Sequence, residues 1–353
     1  MVRTSRRQRC APTIIDVAKR AGVSPMTVSR VINGENNVRP ATRDLVNSAI
    51  SALNYAPNPA ARSLAGAGQS RIGLLYSNPS AGYLSEFLVG SLDQASRRDV
   101  QLIVERCEPG DNEIEVARHL IESGVDGILL PPPLCDSPAL IRLLAEEQVR
   151  AVLVGSAVPP AGQLAVSIDD CRAAYAMTRH LLGLGHRRIG FIQGNPTLKA
   201  SAHRYAGYCS ALEDAEVALD LDLVAPGLFT YRSGLDAAEE LLDLADPPTA
   251  IFAANDDMAA ASVAVAHRRG LDVPGDLTVC GFDDTTLATT IWPELTTIHQ
   301  PIADMSRAAV DMLASSIRQQ SQSVQQPHCV LDYTLIRRHS DAPPRRRPPS
   351  RHP

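Results

Sequence analysis

The chain has 353 residues, of which 44% are hydrophobic and 21% charged, a composition typical of a globular protein of about two or three domains. No apolar run approaches the ~20 residues of a membrane span, and no apolar signal region follows the basic N-terminus, so we expect a cytoplasmic protein. The seven cysteines are widely spaced without a Cys-x-x-Cys pair, which argues against a disulfide framework or a zinc site.

The net charge of −5 conceals an asymmetry along the chain. Residues 1–70 carry ten Lys or Arg against three Asp or Glu, whereas residues 71–336 carry 18 basic and 35 acidic side chains. An acidic body with a small basic head predicts that only the head contacts a polyanion. A basic N-terminal segment also arises by chance, so charge alone leaves both alternatives open. Residues 1–12 and 339–353 lack apolar periodicity, and we expect a disordered basic arm and a disordered Pro/Arg tail.

The first elements predicted are two short helices separated by a tight turn. Thr13 can cap a helix whose apolar residues recur at helical spacing until Gly22 ends it. Ser24 then caps a second helix, with Pro25 at its first position, which runs to about Ile32. Two short helices joined by a turn that contains Gly predict a helix-turn-helix.

A third helix is predicted from about Ala41 to Leu53, with Leu45 and Ala49 on its apolar face. We therefore expect a small all-α DNA-binding domain over 13–57, followed by a hinge helix or linker over 58–68. The core of this head is predicted to contain Val17, Ala21, Val23, Val28 and Val31.

From residue 71 the pattern changes to apolar runs that alternate with amphipathic stretches. The runs are typical of buried parallel strands and lie at Ile72–Tyr76, Leu102–Val104, Gly127–Leu130, Ala151–Val154, Ile189–Ile192, Ala250–Ala253 and Leu277–Cys280. Helices are predicted between them, for example over Glu113–Ser123, Asp170–Leu184 and Gly234–Leu244. This alternation predicts an α/β body of doubly wound parallel sheets, and its length of about 265 residues predicts two lobes.

Several sequence blocks, taken together, indicate which protein family the chain resembles. The segment from Thr13 to Gly34 is TIIDVAKRAGVSPMTVSRVING, and LNYAPN and ARSLA follow at 53–58 and 61–65. The body contains ANDDMA at 254–259, GFDDT at 281–285 and LTTIHQ at 295–300. In order and spacing these blocks resemble the lactose-repressor (LacI/GalR) family of bacterial transcription regulators over nearly the whole chain.

The resemblance implies an effector-binding and dimerisation domain over 70–338, two-lobed and periplasmic-binding-protein-like (type I). It implies a first lobe over about 70–185 and 299–326, and a second lobe over about 186–298 and 327–338. The chain is therefore expected to cross between the lobes near 185, 298 and 327, with an effector cleft between them.

In the head, the second helix is expected to lie in the major groove with its N-terminal side chains at base edges. Arg30 follows Thr27 by three residues on the same face and can contact a guanine edge through two hydrogen bonds, although a solvated surface charge is the alternative. Pro25 and Met26 offer only apolar contact with thymine methyl groups, which leaves base reading there open. The candidates for phosphate contacts are Thr13, Ser24, Ser29 and Asn33.

Residues 59–65 resemble the hinge helix of the family, which at about seven residues is too short to be stable alone in water. The resemblance implies that it folds when two copies pair on DNA, with Ala61 and Leu64 at the minor groove. Leu64 would then act as a wedge that kinks the duplex. A plain linker leucine is the alternative.

The resemblance also places the effector at Arg204, Asn255 and Asp283, whose donors and acceptors suit a polyhydroxylated ligand. Phe229 matches an aromatic position that can lie against a sugar ring. The alternatives are a structural ion pair for Arg204 and a core position for Phe229. Weaker candidates near the cleft are Ser77, Asn78 and Asp169.

The sequence therefore predicts a homodimeric repressor that binds operator DNA and responds to a small molecule, most simply a sugar or sugar derivative. A solute-binding transport component with the same body fold is the alternative, and the basic head argues against it. No catalytic constellation, metal motif or nucleotide-binding loop is found, so we expect neither enzymatic activity nor a cofactor.

Overall fold

The computed structural model of the chain describes residues 12–32, 38–53, 55, 69–77, 80–156, 159–160, 162–318 and 327–345. The chain divides into two compact units, residues 1–69 and 70–353. Each unit has its own buried hydrophobic cluster, and each is described separately below.

The first unit contains the predicted helix-turn-helix, with α1 (Ile14–Ala21) and α2 (Pro25–Ile32) followed by α3 (Pro40–Leu53). The carboxylate of Asp16 accepts hydrogen bonds from the amide and hydroxyl of Thr13, at 2.8 and 2.7 Å, at the start of α1. Gly22 ends that helix in the left-handed conformation at φ 67°, which glycine adopts without a steric penalty. Ser24 caps α2 by accepting the Thr27 amide at 3.2 Å.

The core of the first unit differs from the predicted one on α3. Its buried residues are Val17, Ala18, Val28, Val31, Val46 and Ala49, with Ala21 and Val23 partly buried beside them. Leu45 is 58% exposed, so its predicted place on the buried face was wrong. The apolar stripe of α3 begins one residue later, at Val46, and recurs at helical spacing in Ala49, Ile50 and Leu53.

The second unit is built from two sheets with helices on their faces. Its described strands are β1 (Ser70–Tyr76), β2 (Val100–Arg106), β3 (Gly127–Leu130), β4 (Arg150–Val154), β5 (Leu164–Ser167), β6 (Ile189–Ile192), β7 (Val224–Ala225), β8 (Ala250–Ala253), β9 (Thr278–Asp283), β10 (Thr296–His299), β11 (His328–Val330) and β12 (Thr334–Ile336). Its described helices are α4 (Ala81–Arg97), α5 (Glu113–Glu122), α6 (Pro138–Glu146), α7 (Asp170–Gly183), α8 (Lys199–Asp214), α9 (Tyr231–Leu242), α10 (Asp256–Arg268), α11 (Thr286–Thr290) and α12 (Ile302–Arg318).

The first sheet has the order β11-β5-β4-β3-β1-β2, and the second has the order β12-β10-β9-β8-β6-β7. All the strand pairs are parallel except β10 with β12, which is antiparallel at the edge of the second sheet. Each of the seven predicted apolar runs coincides with a strand, although Leu277 precedes β9, and the predicted doubly wound architecture is confirmed. The strands that the sequence analysis missed are short or rich in threonine, namely β5, β7, β10, β11 and β12.

Helix packing shows where the chain passes between the two lobes. Helix α7 packs against α8 and against strands of the second sheet, so the first crossing falls between Ser167 and Asp170. The prediction of a crossing near 185 was therefore wrong. The chain enters the second lobe before α7, because α7 pairs with α8 and not with the first sheet. Helix α12 packs on α4 and the first sheet, and the third crossing lies between Val330 and Thr334.

The C-terminal segment 339–345 packs on the second lobe, so the prediction of a disordered tail was wrong for these residues. Ser340 is fully buried, and its hydroxyl accepts the Thr296 amide at 2.9 Å. The Val279 amide donates to the Ser340 carbonyl at 2.9 Å. The sequence analysis missed these contacts because the segment is polar and rich in proline. The contacts are made mainly by backbone and hydroxyl groups. The rest of the predicted tail, 346–353, lies outside the described residues.

Asp341 is the charged centre of this segment and is 7% exposed. Burial opposes its ionisation, but hydrogen bonds from His180, Thr296 and Arg337 outweigh that effect and lower the pKa of its carboxyl to about 2. Because the pKa in the folded state lies below the ordinary value of 3.8, Asp341 stabilises the fold above that pH. The stabilisation is lost as the pH falls through about 2.

Asp341→Asn is therefore expected to lower the free energy of unfolding by about 2 kcal/mol at pH 7. The difference from wild type should shrink as the pH falls from 4 toward 2, and urea unfolding across this range measures it. The matched control is Asp332→Asn, because Asp332 is exposed. A difference that stays constant with pH would contradict the role assigned to the Asp341 carboxylate.

Within the described ranges, no helix is long and apolar enough to cross a membrane. The same part of the chain contains no group of three or more His, Cys, Asp or Glu side chains arranged to hold a metal ion.

Candidate ligand cleft and DNA-binding helix

A cavity of about 550 Å³, measured with its opening to solvent, lies between the two lobes. Asn255 and Gly155 follow parallel strands here and Asp283 ends one, where open α/β sheets bind ligands. The lining residues are Ser80, Tyr83, Pro132, Pro133, Gly155, Ile168, Asp170, Leu198, Ala200, Arg204, Phe229, Asn255, Asp283, Gln300 and Met305.

Arg204 lies at the centre of the polar part of the cavity and is 5% exposed. Its Nε donates to Asp170 at 2.8 Å, its Nη1 to the Ala254 carbonyl at 2.6 Å, and its Nη2 to Gln300 at 3.1 Å. Its Nη1 also lies 3.5 Å from Asp283 Oδ1. The guanidinium stacks 3.6 Å from the centre of the Phe282 ring. The protein therefore holds Arg204 rigidly and uses most of its donors.

The two carboxylates beside Arg204 are both buried. Burial raises the pKa of Asp170, and Arg204 opposes that rise through its charge and hydrogen bond. Burial likewise raises the pKa of Asp283 well above its ordinary value, with Arg204 again opposing. Asp283 Oδ1 finds no hydrogen-bond partner among the residues that the structure describes. A buried acceptor without a partner costs free energy unless a ligand donates to it.

The backbone is strained at this side of the cavity. Asp283 has φ 106°, Asp284 has φ 58° and Phe229 has φ 60°, values that side chains larger than glycine seldom adopt. Strained residues of this kind persist where the surrounding structure holds them, and they cluster at ligand sites.

Asn255 fixes the position of Phe229. Its Oδ1 caps α10 by accepting the Met258 amide at 3.0 Å, and its Nδ2 donates to the Phe229 carbonyl at 3.1 Å. The Phe229 ring lies directly on Gly194, where an added Cβ would stand 1.9 Å from the ring. The Phe229 ring therefore forms an aromatic wall of the cavity, and its packing on Gly194 fixes its position.

The sequence analysis missed four polar residues that line the cavity, namely Ser80, Tyr83, Asp170 and Gln300. The Tyr83 hydroxyl is buried and has no hydrogen-bond partner within the described part of the chain, and burial raises its pKa. Ser80 donates to Asp257 at 2.6 Å, a contact between the two lobes. Gln300 ends a block that carries the family resemblance, and Asp170 adjoins the candidate Asp169. No sequence signal indicated Tyr83.

The weaker candidates lie elsewhere. Asp169 caps α7 by accepting the Arg172 amide at 2.9 Å, and it is not among the residues that line the cavity. Ser77 follows β1 and does not line the cavity either. Asn78 lies outside the described residues.

In the first unit, α2 presents two different faces. Val28 and Val31 point into the small core, whereas Met26 is 64% exposed and Pro25 and Arg30 are also exposed. Thr27 and Ser29 are half-buried, and the Thr27 hydroxyl lies 3.0 Å from that of Ser24. The side chains predicted to meet DNA therefore lie off the core-facing stripe. Three further predicted contacts, Asn33, Ala61 and Leu64, lie outside the described residues.

Two family models match the chain. The model described as bacterial regulatory proteins, lacI family, matches residues 13–58, and the model of a periplasmic binding protein-like domain matches residues 178–340.

Relatives match along nearly the whole chain. Catabolite control protein A of Priestia megaterium is 34% identical over 324 residues, which cover 90% of this chain and 96% of the relative. The HTH-type transcriptional regulator CelR of Thermobifida fusca is 37% identical over 317 residues, 88% of this chain and 93% of the relative.

Solved structures of similar proteins also match along nearly the whole chain. The CelR–cellobiose complex has a TM-score of 0.71 and 34% identity and covers 93% of this chain and 99% of its own. The lac repressor dimer, bound to operator and the anti-inducer ONPF, has a TM-score of 0.74 and 27% identity and covers 94% of this chain and 100% of its own.

A helix-turn-helix in one unit and a two-lobed binding body in the other define a ligand-controlled DNA-binding regulator. This chain belongs to the lacI family of bacterial regulatory proteins. It is a transcription regulator and not an enzyme, and the relatives give no support to the transport alternative.

Proposed function

We propose that this chain is a repressor whose binding to operator DNA is controlled by a carbohydrate in the cleft between the two lobes. The observation that carries the proposal is the buried polar network around Arg204. Within it, Asp283 Oδ1 and the Tyr83 hydroxyl have no hydrogen-bond partner among the described residues. Few convergent polar groups in a largely apolar pocket are typical of a small-molecule site. Hydroxyl groups of a sugar can both donate and accept at these positions.

The geometry supports the following proposed roles. Asp283 accepts a hydrogen bond from a ligand hydroxyl. Arg204 donates to the ligand through the N–H groups that its protein partners do not use. Asn255 contacts the ligand and also holds Phe229, whose ring supports the apolar face of a sugar. The solved CelR complex contains cellobiose, which supports a carbohydrate for this family member too.

The proposed assembly is a homodimer that acts in the cytoplasm, where bacterial operators are found. Val89 and Leu92 on α4 are 59% and 56% exposed, and a second copy would cover such apolar side chains. The lac repressor was solved as a dimer on its operator, which supports this arrangement. Two heads then contact two half-sites of a palindromic operator, with Arg30 at base edges.

Coupling between cleft and operator requires that the ligand bind one arrangement of the lobes better than the other. The Ser80–Asp257 hydrogen bond joins the lobes directly, so it exists only while they are close together. Carbohydrate binding would favour one lobe arrangement and change the pairing of the two hinge segments.

A carbohydrate panel tests the proposed function. Thermal unfolding with each sugar should identify one that raises Tm, and operator binding by the full-length protein should change when that sugar saturates the cleft. If a sugar binds tightly and operator affinity stays the same at saturation, the proposed regulation is wrong.

Leu64→Gly is expected to lower operator affinity and DNA bending, because the hinge loses both its wedge and its helix propensity. A circular-permutation gel assay measures the bend angle. The buried residues of the head core lie between Val17 and Ala49. Head helicity measured by circular dichroism should therefore be unchanged in the Leu64 variant. Bending equal to wild type would show that Leu64 is an ordinary linker residue.

A further inference from the structure

The two lobes make a charged contact through residues that do not line the cavity. Asp136 belongs to the first lobe, where it ends a short 3-10 helix that follows β3, and Lys199 is the first residue of α8 in the second lobe. Lys199 Nζ lies 3.5 Å from Asp136 Oδ1, and the Lys199 amide donates to Asp136 Oδ2 at 3.0 Å. One carboxylate therefore holds both the backbone and the side chain of a residue on the other lobe.

The contact with the Lys199 amide is a helix cap. The first amides of a helix have no acceptor within that helix, and a side-chain oxygen before the helix normally satisfies one of them. Ser137 does this for α6 inside the first lobe by accepting the Leu140 amide at 3.3 Å. The residue that precedes α8 is Leu198, which makes no side-chain cap. Asp136 therefore supplies from the first lobe a cap for a helix of the second, and its negative charge suits that end of the helix.

The Asp136 carboxylate is buried and is also held by its own lobe. Its side chain is 4% exposed, whereas that of Lys199 is 43% exposed. Ser156, which follows β4 and is fully buried, donates from its hydroxyl to Asp136 Oδ1 at 3.3 Å. A buried carboxylate needs surrounding donors or a cation to offset its lost hydration. Lys199 supplies two of the three polar contacts described here, and separation of the lobes would remove both.

A second contact between the lobes involves the start of α4. Ser80 donates to Asp257 at 2.6 Å, as described above. Gly82 lies so close to Thr285 that an added Cβ would stand 2.9 Å from the Thr285 Cβ. The α4 backbone can approach the second lobe this closely because residue 82 has no side chain. Protein groups alone therefore join the lobes both at α4 and at α8.

Helix α8 connects the Asp136 contact to the cavity. Leu198 and Ala200, on either side of Lys199, line the cavity, and Arg204 follows them on the same helix. A helix transmits a displacement of its first residue to the rest of the turn, because its backbone hydrogen bonds keep it rigid. A fixed position for Lys199 therefore fixes where Arg204 stands relative to the first lobe.

We infer that Asp136 is a positioning residue, which clamps the second lobe to the first by capping α8 and pairing with Lys199. This inference goes beyond the proposed function, because it concerns how the lobes are held together and not what the cleft binds. Loss of the clamp lets the lobes separate more often and admits water to the cavity. A ligand that contacts both lobes then binds more weakly, because part of its binding free energy is used to bring them together.

Hydroxyl-radical footprinting of the full-length protein, without added sugar, tests the inference. Met305 lines the cavity and is fully buried, so the rate of its oxidation measures how often the lobes open. Met258 is also fully buried but does not line the cavity, so its oxidation measures unfolding instead. We expect Asp136→Ala to speed Met305 oxidation by about fivefold or more, the scale of a lost helix cap, and to leave Met258 oxidation unchanged.

Two further variants separate a clamp from an ordinary cap. Lys199→Gln keeps the capped amide and removes the charge, so Met305 oxidation should rise by about twofold. Ser137→Ala is the matched control, because it removes a helix cap inside one lobe and should leave the Met305 rate unchanged. A wild-type Met305 rate in Asp136→Ala overturns the inference, as does an equal rise in Ser137→Ala. If Asp136→Ala exposes Met258 as well, Lys199→Gln decides alone, and an unchanged Met305 rate in that variant then overturns the inference.

Discussion

Arg204→Ala should weaken effector binding by about 100-fold or more, the largest effect that we expect from a single substitution in the cleft. The side chain is 5% exposed and holds Asp170, Gln300 and the Ala254 carbonyl in place. Its removal leaves two buried carboxylates without their cation, and breaking one side of a buried ion pair typically costs about 3–5 kcal/mol. The ligand loses both a donor and the preorganised shape of its site.

Calorimetric titration of the sugar found by the panel measures this loss, with thermal unfolding to establish that the variant is folded at the assay temperature. The matched control is Arg232→Ala, because Arg232 is 82% exposed and forms a surface ion pair with Asp236. Effector affinity equal to wild type in the Arg204 variant would remove this residue from the site.

The same variant shows the direction of regulation. Operator affinity without effector should change little, because Arg204 belongs to the second unit and the DNA-binding helices to the first. If the sugar is an inducer, the variant represses permanently. If the sugar is a corepressor, the variant fails to repress. Operator titration of the wild type with and without saturating sugar, beside repression by the variant, decides between these outcomes.

Arg30→Ala should reduce operator affinity about 5- to 150-fold, which corresponds to a base contact of about 1–3 kcal/mol. Arg30 is exposed on α2, on the opposite side from the buried Val28 and Val31. The loss should relax the preference at one base pair in each half-site and leave the other positions unchanged. Binding to operator variants with every single substitution measures the preference.

Arg30→Lys is the matched variant, since it keeps the charge and loses the planar pair of donors. We expect it to retain general DNA affinity and lose the base preference. If Arg30→Ala weakens all operator variants uniformly and reduces the salt dependence, the side chain contacts phosphate and not a base.

Local sequence signals were sufficient to predict the helices and strands that have clear capping residues or a regular pattern of hydrophobic residues. The capping residues Thr13 and Ser24 and the terminating Gly22 placed α1 and α2 correctly. The apolar runs placed the central strands, because parallel strands buried on both faces are nearly continuous in hydrophobic residues. The family resemblance predicted that Arg204, Phe229, Asn255 and Asp283 lie together, and these residues do line one cavity.

Contacts between distant segments could not be predicted in this way. Tyr83 enters the cavity from α4, and its role depends on the approach of the opposite lobe. The edge strand β12 is three residues long and exists because β10 pairs with it. The assignment of α7 to the second lobe depends on its packing against α8, which helical periodicity alone does not specify.

The discontinuity of the two lobes has a consequence during synthesis. The first lobe needs α12 and β11, and the second needs β12 and the segment 339–345. All of these leave the ribosome after α1, α2 and α3, which have a core of their own. A nascent or prematurely terminated chain therefore carries finished DNA-binding helices before any cleft exists. Such products would lack the cleft through which the complete protein responds to an effector.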